Sequence, residues 1–537
     1  MRQLHIGVLD VVDTPTTGLF QRVMNGNLAS IMPQVVGAWC ERAGHRVSYA
    51  CYTGFGDVLN ELPPDLDLLF IGAFTQAALF AYAVSNHYRR RGTVTVLGGP
   101  HARCYPEDAA RFFDYVLGFT DRAVIDEVLR DCAPHRPLGR HLAAARQPLE
   151  LPPLAERWRF AAAAMAKAPT VKIVPMIGSL GCPYTCSFCI DSTVDYQPLS
   201  YAQLGEDLRF IQRKVRRPIV GWHDPNFGVR FDEFMDVIED AVPPGRMRHI
   251  AESSLSLLSE PHLVRMKRNG FQALLPGVES WFDHGNKSKT RLTGEEKVRQ
   301  VSDQVNMILR YVPYVRTNFV FGLDVDQGPE PFELTKRFLD RSPGVFAAYS
   351  LLTAYGRAAP LNLDYQRAGR VLPYPFQFLD SHQAMNVRPK NYSWPEFYDH
   401  VVALSRHSMK LKGIAYRFAT TRGAARWIKL AESFSWSGRT QYHSGIRQLL
   451  DDDASVQRFM NGESDQLPEH YRGRIRANLG PLYELLPEGA IAHDHLAYLK
   501  TTTATPSPVA AAEPVQIRAR PGWRRVAGGG DSAQLTM

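Results

Sequence analysis

Strand-like apolar segments alternate with helix-like segments along the first part of this chain. The strand candidates are LHIGVLDVV (4–12), HRVSYACY (45–52), LDLLFIGA (66–73), TVTVLGG (93–99) and DYVLGF (114–119). Helical patterns lie between them, among them 32–44 and 106–113. Because parallel strands need a crossover that a helix usually supplies, this alternation predicts a doubly wound parallel sheet. Sheets of this kind bind ligands at the carboxyl ends of their strands.

A second alternating series follows farther along the chain. Its strand candidates are 171–179, 218–224, 248–254, 273–280, 315–323 and 345–352. Helix-sized spacers separate most of them, for example EPHLVRMKRNG (260–270). Six β/α units predict a partial barrel, smaller than the closed barrel of eight units. The fold class is therefore α/β, followed by a mostly helical region.

The length of 537 residues predicts several domains. We divide the chain into an α/β domain (1–132), a connector with little strand signal (133–170), a partial barrel (171–360), a helical region (361–500) and a tail (501–537). The tail has low complexity and is expected to be disordered. The aromatic-rich helical region is expected to close the barrel mouth and select the substrate. Its aromatic side chains would line an apolar pocket or form an ordinary helical core.

Composition excludes several classes of protein. Hydrophobic residues make up 45% of the chain, too many for a mainly disordered protein. We find no apolar run of about 18 residues, so no transmembrane segment is expected. The first residues reach an acid at Asp10 and do not resemble a signal peptide, which favours a cytoplasmic location. The net charge of +8 is diffuse, and nucleic acid is therefore not an expected partner.

Three of the seven cysteines lie within eight residues, in SLGCPYTCSFCIDS. Cys182, Cys186 and Cys189 directly follow a strand candidate, so they lie at a carboxyl end, where barrel chemistry is usually found. Thiolates suit iron–sulfur clusters, zinc or copper(I). A structural zinc site needs a fourth ligand, and His223 and Cys132 are the nearest candidates. Three ligands alone leave one metal position open for substrate, although a zinc site or three reduced thiols remain alternatives.

The C-x3-C-x2-C loop CPYTCSFC, after the first strand of a six-fold β/α series, resembles the radical S-adenosylmethionine (SAM) superfamily. The resemblance implies a 4Fe–4S cluster on Cys182, Cys186 and Cys189, with SAM on the fourth iron. It further implies that an electron from the cluster cleaves SAM to a 5′-deoxyadenosyl radical, and that the backbone around Phe188 lies against the adenine. An electron donor such as a flavodoxin or ferredoxin is then an expected partner.

Two further segments resemble the cobalamin-associated branch of this superfamily. HDPNFGV (223–229) is similar to the D-D-N-F segment of that branch, and the resemblance makes Asp224 and Asn226 candidates for holding the SAM amino group. PGVES (276–280) resembles the G-x-E-S end of the fourth barrel strand. Glu279 and Ser280 are therefore candidates for contacts with the ribose or methionine part of SAM.

The first sheet resembles the cobalamin-binding domain of the same branch. IGAFTQAA (71–78) opens a helix after a strand, so its turn amides could meet a nucleotide tail. The glycines of VLGGPHA (96–102) let a large ligand approach the backbone, because they have no Cβ. The D-x-H-x-x-G signature is absent, and His101 is not expected to reach cobalt. The candidate cobalamin contacts are Phe74, Thr75, Gln76, Gly98 and Gly99.

Domain order and the cysteine loop together predict a C-methyltransferase. The implied division of labour is a radical that removes hydrogen from an unactivated carbon and a cobalamin that supplies the methyl group. The substrate would be a small molecule or natural-product precursor, and no catalytic side chain is assigned. Two alternatives are a cyclase or rearrangement enzyme of the same branch without methyl transfer, and a non-catalytic iron–sulfur sensor.

Overall fold

The computed structural model describes residues 2–15, 29–132, 138–282, 292–421 and 423–497. Two parallel sheets of six strands each form the frame, and helices cover them. A helical region follows the second sheet. The α/β class is thus confirmed, whereas the predicted tail at 501–537 lies outside the described residues.

The first sheet is a doubly wound parallel sheet. Its strands are β1 (His5–Asp13), β2 (Arg46–Thr53), β3 (Leu68–Ala73), β4 (Val94–Gly98), β5 (Tyr115–Leu117) and β6 (Arg140–Leu142), in the order β2-β1-β3-β4-β5-β6. Its helices are α1 (Ile31–Arg42), α2 (Ala78–Arg89), α3 (Pro100–Cys104), α4 (Pro106–Ala109) and α5 (Arg122–Asp131). Every pairing is parallel. Strands β1 and β3 are almost continuously apolar because helices cover both faces of the sheet.

Two details of this unit differ from the sequence prediction. Strand β6 lies inside the predicted connector and pairs with β5. Its three residues, RHL, are too few and too exposed to produce a periodic signal. The predicted helix at 106–113 ends at Ala109. The chain turns there to enter β5, and the amide of Asp114 donates to the carbonyl of Thr95 at 3.0 Å.

Helix α6 (Leu154–Ala166) joins the two units. Phe160 is fully buried beneath α1, where a Cβ built on Gly37 would lie 2.8 Å from its ring, so only glycine permits this approach. At the other end, the amide of Leu154 donates to Asp207 at 2.9 Å. The predicted connector is therefore a packed part of the structure.

The second sheet is the predicted open barrel. Its strands are β7 (Ile173–Met176), β10 (Ile219–Trp222), β11 (Arg248–Ser254), β12 (Phe271–Glu279), β13 (Tyr314–Phe321) and β14 (Phe346–Leu351). A small antiparallel pair, β8 (Ser179–Leu180) and β9 (Gln197–Pro198), follows β7. The six strands pair in chain order and in parallel, with β7 and β14 as the outer strands.

The helices of the second unit are α7 (Tyr201–Lys214), α8 (Phe231–Ala241), α9 (Glu260–Arg268), α10 (Gly294–Tyr311) and α11 (Glu330–Arg341). Local capping fixes where some of them begin. The side chain of Ser200 accepts a hydrogen bond from the amide of Gln203 at the start of α7, and Ser259 accepts one from His262 at the start of α9. Such caps satisfy amides that have no partner within the helix.

The helical region contains α12 (Pro360–Arg367), α13 (Trp394–Ser408), α14 (Leu411–Thr420), α15 (Ala424–Asp452), α16 (Ala454–Met460) and α17 (Glu469–Leu479). The aromatic side chains of this region, for which the sequence allowed either a pocket lining or a helical core, mainly form a core. Tyr374, Phe376, Phe378, Trp394, Phe397 and Tyr398 are all buried. The region also packs back on the first unit, since Asn86 Nδ2 donates to the carbonyl of Leu485 at 2.8 Å. None of the described helices has the length and apolarity needed to cross a membrane.

Candidate functional site

The cysteine loop lies at the carboxyl end of β7, between β8 and β9. The amide of Cys189 donates to the carbonyl of Cys186 at 2.9 Å, which closes a turn between the second and third cysteines. Gly181 has a φ of +65°, and a Cβ there would lie 2.2 Å from the carbonyl oxygen of Asp195. The loop therefore needs glycine immediately before Cys182.

The described residues do not form a site for a single metal ion around the cysteine loop. No group of three His, Cys, Asp or Glu side chains within the described ranges converges on one metal position. Cys132 lies in the core of the first unit, where its Sγ faces the carbonyl of Leu129 at 3.6 Å. A zinc site would require convergence of its ligands. In a 4Fe–4S cluster each thiolate binds a different iron, so the lack of one common metal position does not count against such a cluster on Cys182, Cys186 and Cys189.

Two contacts hold this loop from outside. Arg103 lies in the last turn of α3, the short helix that follows β4. It donates from Nη1 to Asp191 Oδ1 at 2.9 Å and from Nη2 to the carbonyl of Ile190 at 3.0 Å. The amide of Leu361 donates to the carbonyl of Ser187 at 2.9 Å. The first unit therefore holds the residues just after Cys189, and the helical region holds a residue just before it.

Asp224 and Asn226 follow β10 at the same edge of the sheet. The carboxylate of Asp224 accepts hydrogen bonds from the amide of Gly178 at 3.0 Å and from the hydroxyl of Ser179. Burial raises the pKa of Asp224 to about 6. Asn226 Oδ1 accepts from the amide of Ser254 at 2.9 Å, whereas its buried Nδ2 has no hydrogen-bond partner. The carboxyl edge of the second sheet therefore has a hydrogen-bond donor without a partner, Asn226 Nδ2, and a carboxylate held in place by hydrogen bonds, Asp224.

Glu279 and Ser280 end strand β12. Glu279 has a φ of +65°, and only one other described non-glycine residue has a positive φ. Such a conformation costs about 1–3 kcal/mol and is typical of functional sites. The hydroxyl of Ser280 accepts from the amide of Phe282 at 3.1 Å. Phe188 is half-buried on the cysteine loop. All five candidate SAM contacts thus lie on segments at the carboxyl edge of the second sheet.

A cavity of about 290 Å³ lies where the two units meet. Phe74, Gly98 and Gly99 line it from the carboxyl edge of the first sheet, and Ile177 and His223 line it from the second. Most of its other lining side chains are apolar. A cavity of this size accommodates a ring-sized group, so a whole macrocycle would extend beyond it.

Three of the five candidate cobalamin contacts line this cavity, and two do not. Thr75 is buried, and neither it nor Gln76 is among the lining residues. A Cβ built on Gly98 meets no atom within 4 Å, so the space beside it is open to a ligand. Gly99 has a φ of +91°, and its Cβ would lie 3.0 Å from the carbonyl oxygen of Ala73. The glycine edge and the apolar lining fit part of a large cofactor.

The two histidines near this region differ in their environment. His101 is fully buried, and its Nε2 is 2.7 Å from the hydroxyl of Tyr82, away from the cavity lining. His223 lines the cavity, and its Nε2 has no hydrogen-bond partner. Burial lowers the pKa of His223 to about 4, so the imidazole is neutral near pH 7.

Comparison with known proteins adds to this geometry, although no family model matches the chain. The bacteriochlorophyllide d C-8(2)-methyltransferase of Chlorobaculum tepidum is 33% identical over 332 residues, which are 59% of this chain and 72% of that enzyme. The bacteriochlorophyllide d C-12(1)-methyltransferase of the same organism is 22% identical over 370 residues, covering 67% of this chain and 79% of that enzyme.

Two solved structures share the fold. The radical SAM methyltransferase TsrM from Kitasatospora setae, with cobalamin and a 4Fe–4S cluster bound, has a TM-score of 0.51 at 13% identity and covers 73% of this chain and 79% of that one. The cobalamin-dependent SAM radical enzyme OxsB has a TM-score of 0.51 at 12% identity, with 92% and 82% covered. This chain belongs to the cobalamin-binding branch of the radical SAM superfamily.

Membership of this radical SAM branch confirms the prediction of an enzyme of the methyltransferase class. The sensor and the cyclase or rearrangement enzyme are not favoured. Sequence reasoning missed the position of Arg103 altogether and considered His223 only as a zinc ligand. No local signal identifies Arg103, because its partner Asp191 lies 88 residues away in the sequence.

Proposed function

We propose that this enzyme transfers a methyl group to an unactivated carbon of a small molecule, and that cyclic tetrapyrroles of the bacteriochlorophyllide type are the first substrates to test. The observation that carries the proposal is the cavity between the carboxyl edges of the two sheets. Its wall includes Arg103, which also holds the cysteine loop. The curated relatives, named for methylation of bacteriochlorophyllide d, support the substrate class.

The residues divide among three groups. Cys182, Cys186 and Cys189 would hold the 4Fe–4S cluster. Phe188, Asp224, Asn226, Glu279 and Ser280 would hold SAM, and Phe74, Gly98 and Gly99 would contact cobalamin. When bound, the cluster and SAM supply one-electron chemistry for hydrogen abstraction, and cobalamin supplies the methyl group.

The chain itself positions these groups and excludes water. Since the Oδ1 of Asn226 is occupied and its free Nδ2 is a donor, Asn226 would bind a carboxylate oxygen of SAM and not the amino group expected from the sequence, while Asp224 stabilises the turn at 178–179. Apolar residues around the cavity keep water from the reacting carbon. The neutral imidazole of His223 faces this space as a weakly polar group that can donate or accept one hydrogen bond.

The wider setting is part of the same proposal. All seven cysteines are free, which suits a reducing compartment such as the cytoplasm. A flavodoxin or ferredoxin would deliver the electron. The division into 1–132, 133–170, 171–360, 361–500 and 501–537 is kept as part of the proposal, with one change: β6, at 140–142, is assigned to the first unit because it pairs with β5.

The test is anaerobic reconstitution of the full chain with iron, sulfide and cobalamin, followed by SAM, a reductant and a bacteriochlorophyllide. We expect 5′-deoxyadenosine, S-adenosylhomocysteine and a product with one additional methyl group. Cys186→Ala should abolish all three, whereas Cys40→Ala, in the core of the first unit, is the matched control. Formation of 5′-deoxyadenosine alone would favour the cyclase, and no SAM cleavage would favour the sensor.

A further inference from the structure

Exposed apolar side chains concentrate on the hairpin formed by α14 and the first part of α15. Five of the nine large apolar side chains that are exposed within the described ranges lie here. They are Leu411, Tyr416, Trp427, Ile428 and Phe434. Leu411 is 83% exposed, and Trp427 and Phe434 are each 61% exposed. This concentration of exposed apolar side chains on one hairpin is typical of an interaction site.

The same hairpin is strongly basic. From Lys410 to residue 431 the sequence contains six Lys or Arg residues and no Asp or Glu, and two of the six, Arg417 and Lys429, are buried. Lys410 and Lys412 are exposed beside Leu411. The next acid, Glu432, accepts a hydrogen bond from the hydroxyl of Tyr314 and so faces the barrel. The outer face of the hairpin therefore combines apolar side chains with positive charge.

Contacts on the inner face of the hairpin show where it lies on the barrel. The guanidinium of Arg417 lies 4.6 Å from the centre of the Phe346 ring, and Lys429 Nζ donates to the carbonyl of Gly344 at 3.0 Å. Both contacts lie at the amino end of β14. The cysteine loop lies at the carboxyl end of β7, the other outer strand. An electron donor docked on the hairpin would be far from the cluster loop.

We propose that the outer face of this hairpin docks on an anionic lipid surface. Amphipathic helices with aromatic residues on one side and Lys or Arg beside them lie in the membrane interface, and Trp is favoured at that depth. A second copy would bring two basic faces together. The chain's own end is also a poor occupant, because Arg518, Arg520, Arg524 and Arg525 repel this surface. Docking here leaves the cavity and the cysteine loop accessible.

The test is sedimentation of the full chain with vesicles of phosphatidylcholine, alone or with about 30 mol% phosphatidylglycerol. We expect binding only to the anionic vesicles, and weaker binding as salt increases. Trp427→Ser combined with Phe434→Ser should weaken binding at least about tenfold through lost apolar contact. Lys410→Glu combined with Lys412→Glu should weaken it by more than about thirtyfold, since each lost basic residue accounts for about fivefold and each new glutamate is repelled by the anionic surface.

Matched controls separate docking from misfolding. Val264→Ser removes an exposed apolar side chain on α9, and Arg216→Glu with Arg217→Glu makes the same charge change elsewhere. These variants should bind as the parent does, and all variants should keep the parent circular dichroism spectrum. Equal binding to both vesicles, no binding, or a dimer in lipid-free buffer that Trp427→Ser with Phe434→Ser dissociates would overturn the proposal.

Discussion

Asn226 shows how one side chain can serve the fold and the site together. Its Oδ1 accepts from the amide of Ser254 at 2.9 Å and so ties the ends of β10 and β11. Its Nδ2 is buried without a partner. An unpaired buried donor costs about 1–3 kcal/mol, which a ligand carrying an oxygen acceptor would offset.

Asn226→Ala should therefore weaken SAM binding. A lost hydrogen bond to a charged group costs about 1.5–3 kcal/mol, so we expect KM for SAM to rise at least about tenfold. The measurement is the rate of 5′-deoxyadenosine formation against SAM concentration. Asn269→Ala is the control, because Asn269 is equally buried but bonds to Glu239 behind the barrel. Equal KM values for both variants would refute the role of Asn226.

At the scale of elements, the turn from β4 to α3 contains two glycines, and each is a glycine for a different physical reason. Gly99 is required by its φ of +91°. Gly98 has no such constraint, and the space beside it is open. The fold itself does not require glycine at position 98, whereas a ligand lying against the backbone there would require it.

Gly98→Leu should block cobalamin without unfolding the chain. The new side chain would enter the cavity, since a Cβ at this position meets no atom within 4 Å. We expect normal thermal unfolding and cluster content but at least about tenfold weaker cobalamin binding, measured by absorbance titration. Gly473→Leu on α17 is the control, because its Cβ also meets no neighbour within 4 Å. Parent-like cobalamin affinity in Gly98→Leu would contradict the assignment.

Strand β1 carries a buried acid, Asp10, beside the cavity-lining Ser30. Burial raises the pKa of Asp10 to about 7, although the hydrogen bond from the amide of Ser30 at 2.9 Å opposes the shift. A folded-state pKa above the unfolded value means that folding favours the protonated acid. The stability this provides is complete below the unfolded pKa, near 4, and is lost as pH rises to about 7.

Asp10→Asn should remove this dependence on pH. Relative to the parent, its free energy of unfolding should gain roughly 2–3 kcal/mol between about pH 5 and about pH 8. Anaerobic denaturant titrations at both values measure the difference, and Asp65→Asn is the exposed control. A difference that stays constant with pH would mean that Asp10 is not titrating in the folded chain.

At the scale of the whole molecule, the two units share one site because packing brings their carboxyl edges together. Tyr105 of the first unit donates from its hydroxyl to the carbonyl of Ala354 at 3.1 Å, and Arg357 pairs with Glu107. Arg103 makes the link that bears on function, since it touches both the cavity and the cysteine loop.

Arg103→Lys should uncouple the two units at this point. A lysine keeps the charge but cannot reach Asp191 and the carbonyl of Ile190 with a planar fork. We expect turnover to fall at least about tenfold and the electron paramagnetic resonance signal of the reduced cluster to change. Arg159→Lys, at the partly exposed pair with Glu41, is the control. An unchanged cluster signal with normal turnover would show that the Arg103–Asp191 ion pair has no role in positioning the cysteine loop.

The sequence alone determined most of the strands and helices, with β6 as an exception, and identified the cysteine loop. Both alternating series and all six strands of the barrel follow from hydrophobic periodicity, a local property, and the cluster role of Cys182, Cys186 and Cys189 is implied by the resemblance of their loop to a known family. Only the tertiary structure placed Arg103 against Asp191 and His223 in the cavity wall, added β6 to the first sheet and left Thr75 and Gln76 off the lining. These positions depend on contacts between distant segments, and such contacts are decided by how the sheets and helices pack.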